Sequence, residues 1–215
     1  MGRKLRTNPR KSASQERSRQ TVNTILEATT RVLIKEGYDR SSTNKIAAVA
    51  GVSIGSLYQY FPSKEALVAA VSERHSHQVL QMMRNTLVKV AADPIEVAAR
   101  AFISGAIDAH RIHPKLHRVL AEEVPRIGRL ENIEAINQEV YVLIRDYLDA
   151  HRDEIDVADL DVAVFICVTA VDALTHAAVL RRPETLTDKR ADVFVGEVTD
   201  LVVRYLRKSR PHGKT

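Results

Sequence analysis

Residues 42–65 read STNKIAAVAGVSIGSLYQYFPSKE. The stretch predicts two short helices around a tight turn. Ser42 or Thr43 caps the first, because a hydroxyl oxygen accepts an orphan amide proton of the first turn. Ile46, Ala47, Val49 and Ala50 follow at helical spacing. Gly51 sits where that helix stops, since glycine takes up a positive φ at little cost. Val52 is the buried residue of the turn, and Ser53 caps a second helix from Ile54 to about Phe61. Leu57 is expected to share a core with Ile46 and Val49. That leaves Ile54, Gly55, Ser56, Tyr58, Gln59 and Tyr60 for other faces. Pro62 ends the helix and Ser63 caps the next one.

Two helices joined by a short glycine turn match the helix-turn-helix, whose second helix enters a DNA major groove. On spacing alone an ordinary helical hairpin fits as well. Two details favour DNA. The second helix is very short, and it is dense in small and tyrosyl residues. Small residues let a backbone approach DNA closely, and tyrosyl hydroxyls bond phosphates.

The run GVSIGSLYQYFPSKEAL, residues 51–67, resembles the DNA-binding signature of the tetracycline-repressor (TetR) family of bacterial regulators. ILEATTRVLIKEGYDRSSTNKIA, residues 25–47, extends the match, which covers Arg19 to Val71. The resemblance implies a cytoplasmic, all-helical homodimer whose N-terminal domains bind a palindromic double-stranded operator. It also implies C-terminal domains that take a small effector and thereby release the DNA. Carried over position by position, it places Thr43 and Lys45 for phosphate contact. Ser53, Ile54, Gly55, Ser56, Tyr58, Gln59 and Tyr60 fall on the reading helix, and Lys64 on the backbone beyond. Ile54 departs from the polar or basic residue often found there. It reads no base edge by hydrogen bonding, although it can touch a thymine methyl.

Charge is distributed to suit that reading. The chain of 215 residues carries net +5. Met1 to Lys64 holds 12 Lys and Arg against 4 Asp and Glu, net +8, and the remainder 20 against 23, net −3. A basic head on a slightly acidic body suits a polyanion ligand. Apolar residues make up 45%, enough for a substantial core, and long β-branched runs between turn residues are missing. The single cysteine, Cys167, rules out an intrachain disulfide and reads as a buried small hydrophobe. No signal peptide or myristoylation pattern is visible. The longest uncharged apolar run, Val162 to Val171, is ten residues, against about 20 for a membrane span. A cytoplasmic protein with no membrane partner is expected.

Outward from the motif, the periodicity predicts an all-α fold of about nine helices. Residues 1–14 read as a flexible basic arm, which either follows DNA or is a solvated tail. A long helix, Gln15 to Glu36, has Val22, Ile25, Leu26, Thr29 and Leu33 on one stripe. Gly37 ends it. Residues 15–78 form the helix-turn-helix domain, residues 79–208 the ligand-binding and dimerisation domain, and 209–215 a basic tail. The boundary is placed inside a long helix from Ser63 to about Val90, near His75 to Met82, with His75 and His77 exposed. Asp93 is expected to cap the next helix, with Pro94 at its first position and Glu96 completing a capping box. Helices follow over 115–124, ended by Pro125, and from Ile127 to about His151. The most apolar runs from Asp159 to Leu180, and the last from Asp188 to about Arg207. Together the last two should form a two-fold interface.

No catalytic signature appears: no G-x-S-x-G, no Walker loop, no H-E-x-x-H. His110, His113 and His117 lack zinc-site spacing, so neither a metal nor a cofactor is expected. Asp172 and His176, four apart on the apolar helix, are either a satisfied polar pair or a ligand anchor. Phe102, His110, Tyr141 and Cys167 are the other candidate effector contacts. The expected function is a DNA-binding transcriptional regulator, a repressor released by a largely hydrophobic effector, and not an enzyme. The alternative is a helical small-molecule binder or enzyme that retains a helix-turn-helix head.

Overall fold

The computed structural model describes residues 10–112, 114–127 and 131–207. Among them are nine α-helices, two 3-10 turns and no strand. The chain divides into two units, the first ending at Val71 and the second beginning at Ser72. The division falls earlier than the expected 75–82, because Leu67, early in the long fourth helix, belongs to the head's core.

The first unit contains α1 (Arg10–Arg40), α2 (Thr43–Ala50), α3 (Ile54–Tyr60) and the start of α4 (Lys64–Val90). Helix α1 begins at Arg10, inside the stretch expected as an arm, because neither proline nor glycine interrupts Arg10 to Glu36. The rest of that arm, residues 1–9, lies outside the described residues, as does the tail after Arg207. Gly37 breaks the helical path with φ 75 and ψ 177, a conformation that disfavours any side chain. The core gathers Ile25, Ala28 and Val32 of α1, Ile46 and Ala47 of α2, Leu57 of α3 and Leu67 of α4.

Val49 is not in that core; it is 47% exposed. On a 3.6-residue period Ile46, Ala47 and Ala50 share a face, and Val49 lies about a quarter-turn or more away from its centre. Ala50 and Val52 are the partly buried members that complete it.

The second unit holds the rest of α4 with α5 (Ile95–Ile112), α6 (Pro114–Ile127), α7 (Glu131–Ala150), α8 (Leu160–Arg181) and α9 (Asp188–Leu206). Helix α6 continues through Pro125 to Ile127, so the missing proline amide falls only in its last turns. Helix α7 starts at Glu131 rather than Ile127. At the head of α5, Glu154 and not the Asp93 side chain takes the first amide, with Ile95 N–H donating to Oε2 at 3.2 Å. Asp93 contributes its carbonyl instead, which accepts the Tyr147 hydroxyl at 2.7 Å.

Helix α5 packs on both α8 and α9. One core joins Ile95, Ala98, Leu148, Ala163, Val164, Cys167 and Leu206, and a second joins Ile103, Ile107, Ala178, Val179, Val195 and Val198. Helix α8 is apolar on more than one side. Ala163, Val164, Cys167 and Ala178 face inward, while Val162, Phe165, Ile166 and Leu174 stay exposed. Although its longest uncharged run is short, the whole helix is long and apolar enough to cross a membrane by length and composition. Its packed inner face is a feature of a core helix instead.

Candidate nucleic-acid interface and body cavity

The turn between α2 and α3 is built as its residues dictate. Ser42, not Thr43, caps α2, accepting from Lys45 N–H at 3.3 Å. Gly51 takes φ 69 and ψ 27, the left-handed conformation that ends a helix without steric cost. Val52 N–H then reaches back to the Ala47 carbonyl at 3.1 Å. Ser53 caps α3 by accepting from Ser56 N–H at 3.1 Å, and Ser63 caps α4 by accepting from Ala66 N–H at 3.2 Å.

Helix α3 therefore stands with one residue, Leu57, fully buried and an outer face of Ser53, Ile54, Gly55, Tyr58 and Gln59 exposed. A Cβ built on Gly55 meets no atom within 4 Å, so the chain itself leaves the space above it open. Ser56 is half-buried on the flank. The Tyr58 hydroxyl lies 3.1 Å from Thr43 Oγ1, which ties α3 to the start of α2. Only one of the two hydroxyl protons is used there, and the other can serve a phosphate oxygen.

Three expected contacts stand differently. Tyr60 is half-buried and packs on the head's core with Phe61. Lys64 Nζ donates to the Tyr38 carbonyl at 3.1 Å and lies 3.8 Å from the centre of the Tyr38 ring. Lys45 Nζ bonds Glu36 and the Arg40 carbonyl, leaving a half-exposed side chain. Hydrogen bonding to Lys45 in turn holds the Glu36 carboxyl below its usual range. The two lysines brace the end of α1 as well as presenting charge. Asn44, exposed between Thr43 and Lys45, was not singled out by sequence reasoning. Its only signal is a polar residue in the first turn of α2.

The second unit encloses a cavity of about 320 Å³. Phe102, Tyr141, Cys167 and Asp172, four of the expected effector contacts, line it with Val79, Met83, Ile103 and Ile144. His176 is not among the lining residues, and the side chain of His110 lies outside the described residues. The proposed pairing of Asp172 with His176 is replaced by another. His176 Nδ1 lies 2.9 Å from His117 Nε2, and the His75 ring stands 5.9 Å from that of His117, so His75 is not free in solvent. Burial pushes the Cys167 thiol up to about 11. Burial, with Glu154 and Asp93 nearby, pushes the Tyr147 hydroxyl up to about 12. Among the described residues no group of three or more His, Cys, Asp and Glu can hold a metal ion.

A capped helix-turn-helix with an uncovered second helix, in a chain whose other unit is an all-helical body around a cavity, defines a DNA-binding regulator of the two-part helical type. Family comparison agrees. Residues 25–71 match the model of bacterial regulatory proteins of the tetR family, and residues 94–206 that of the tetracyclin repressor-like C-terminal domain. The chain belongs to the TetR family of transcription regulators. Among curated proteins it is similar to the HTH-type transcriptional repressor NicS of Pseudomonas putida, 26% identical over 199 residues covering 87% of this chain and 93% of NicS. Among solved structures it shares the fold of the fatty acid degradation regulator FadR of Bacillus halodurans, with a TM-score of 0.69 at 19% identity over 85% of this chain and 94% of that one. FadR of Bacillus subtilis, solved in complex with stearoyl-CoA, also gives 0.69, at 22% identity over 86% of this chain and 98% of that one.

Proposed function

We propose that the chain is a cytoplasmic repressor that binds a palindromic operator as a homodimer through α8 and α9. On this reading a small, largely hydrophobic effector in the body cavity releases it. It acts by binding and not by catalysis. The observation that carries the reading is the open space above Gly55 on the exposed outer face of α3, a surface shaped for close backbone approach. The apolar cavity supports the effector, since an unfilled apolar void costs a protein stability that a ligand restores. The exposed Val162, Phe165 and Ile166 of α8 with Val193 and Leu201 of α9 support the pairing surface. NicS is named a repressor, and one FadR was solved with an acyl-CoA, which supports both halves of the scheme.

The test begins by selecting bound duplexes from a random pool and titrating the winner and a scrambled control by fluorescence at several salt concentrations. A Cβ at Gly55 meets no atom within 4 Å, so Gly55→Leu should fold like the wild type. It should lose operator preference and keep only a salt-sensitive, sequence-indifferent affinity. Unchanged operator affinity in this variant removes α3 as the reading helix. An effector, once found, should lower operator affinity by a coupling of about 1–3 kcal/mol.

A further inference from the structure

The described lining of the body cavity is apolar along α4, α5 and α9, where Val79, Met83, Ile95, Phe102, Ile103 and Val202 contribute. Its polar groups gather on one side, on α7 and α8. There the Tyr141 hydroxyl lies 3.4 Å from Thr169 Oγ1. Asp172, one helical turn beyond Thr169, lines the same cavity and is exposed. Among the described residues its carboxylate has neither a hydrogen bond nor an ion pair.

Two arginines and a histidine on these helices are engaged elsewhere. Arg145 Nε donates to Asp161 at 2.7 Å, Arg84 pairs with Glu139, and His176 bonds His117. None of the described lining residues is Lys, Arg or His. Among its described lining residues the cavity has one carboxylate without a partner, Asp172, and no cation to meet an anionic group. A ligand carboxylate or phosphate seated there meets a like charge as water is excluded, where Coulomb forces grow. A ligand ammonium meets a charge-assisted acceptor instead, flanked by two hydroxyls.

We propose that the cavity selects a cationic amphiphile, an amine with an apolar body, whose ammonium is held by Asp172 beside Tyr141 and Thr169. It selects against carboxylates and acyl-phosphate ligands. The inference rests on the reading of this cavity as the effector site. The volume, at the low end of the range for small-molecule sites, suits a short amphiphile. The apolar end near Ile95 and Leu206 takes the body, and the ammonium proton donors stay at the rim.

Three probes of one chain length separate charge from hydrophobicity: decylamine, decanol and decanoate, each titrated into the full-length protein by calorimetry. Decylamine should bind tightest and decanoate weakest. Asp172→Asn, at an exposed position, should weaken decylamine by roughly 10- to 100-fold, the range for one lost charged hydrogen bond. The same change should leave decanol within about threefold, because it removes charge but not apolar area. Ala99→Phe, or Val168→Phe where the first fails to fold, fills the cavity and should abolish binding of all three. If decanoate binds as tightly as decylamine in wild type and cavity filling abolishes both, the charge selection is overturned and the site stands. Binding of all three undiminished by cavity filling overturns the site itself. Failure of all three to bind overturns the proposed ligand class.

Discussion

At the scale of single residues, the head was legible wherever local backbone chemistry decides. Ser53, Gly51 and Ser63 cap and turn as their side chains dictate, with no help from distant contacts. Lys64 was not legible, because its partner is 26 residues away. Its ammonium closes on the Tyr38 carbonyl and ring, and the Tyr38 hydroxyl donates to Glu65 at 2.9 Å. Lys64→Ala should therefore lower head stability by about 1 kcal/mol, the sum expected of a cation–ring contact and a partly exposed hydrogen bond. Circular dichroism melts check this, and an unchanged melting temperature would assign the lysine to DNA alone. Cys167 and Tyr147 give a second expectation. Both are neutral in the folded chain, with values raised from 9.0 to about 11 and from 10.0 to about 12. The unfolded chain releases these protons first as pH rises. Stability is thus full below about pH 9 and falls between pH 9 and 12. Thermal melts across that window should show the drop, and it should shrink in Cys167→Ala. Cys167 should also resist iodoacetamide at neutral pH in the folded state, since the thiolate is the reactive form.

At the scale of elements, periodicity located all nine helices, but it did not settle which face each one buries. Val49 shows why. Ile46, Ala47, Val49 and Ala50 span a wide apolar arc, so only the packing partners decide where the buried face centres, and they centre it on Ile46, Ala47 and Ala50. Ile46 is fully buried and Val49 is 47% exposed. Ile46→Ala should cost about 2–5 kcal/mol, whereas Val49→Lys should stay within about 0.5 kcal/mol. Urea unfolding of the two variants checks the pair; equal losses would return Val49 to the core. Asp172 and His176 teach the same lesson at i,i+4 spacing. The geometry allowed a pair, but His117 from α6 reached His176 first, at a sequence separation no periodicity reports. The cavity was half legible. Phe102, Tyr141 and Cys167, expected from helix faces, and Asp172, expected from its i,i+4 spacing with His176, line the cavity, while Val79 and Met83 of α4 were not among the expected contacts.

At the scale of the molecule, composition separated a basic head from an acidic body, and the chain does divide, at Val71. The expected break lay later because α4 is one uninterrupted helix, and nothing in its sequence marks where one core gives way to another. The proposed pairing through α8 and α9 has a direct test. Phe165 is 58% exposed and Val193 63% exposed. Phe165→Arg combined with Val193→Glu should leave the cores intact and convert the species seen by light scattering from twice the 24.0 kDa chain mass to the chain mass itself. A wild-type protein already monomeric at micromolar concentration would remove the interface. The uncovered apolar side of α8 also bears on how long each molecule lasts. On the proposed pairing, a chain that has not met a second copy shows chaperones and proteases the kind of surface they recognise on unfinished proteins. Its lifetime then rises with its own abundance. A cell holding few copies would lose them fastest, so the switch between bound and vacant operators should be steeper in gene dosage than the affinity for DNA alone sets.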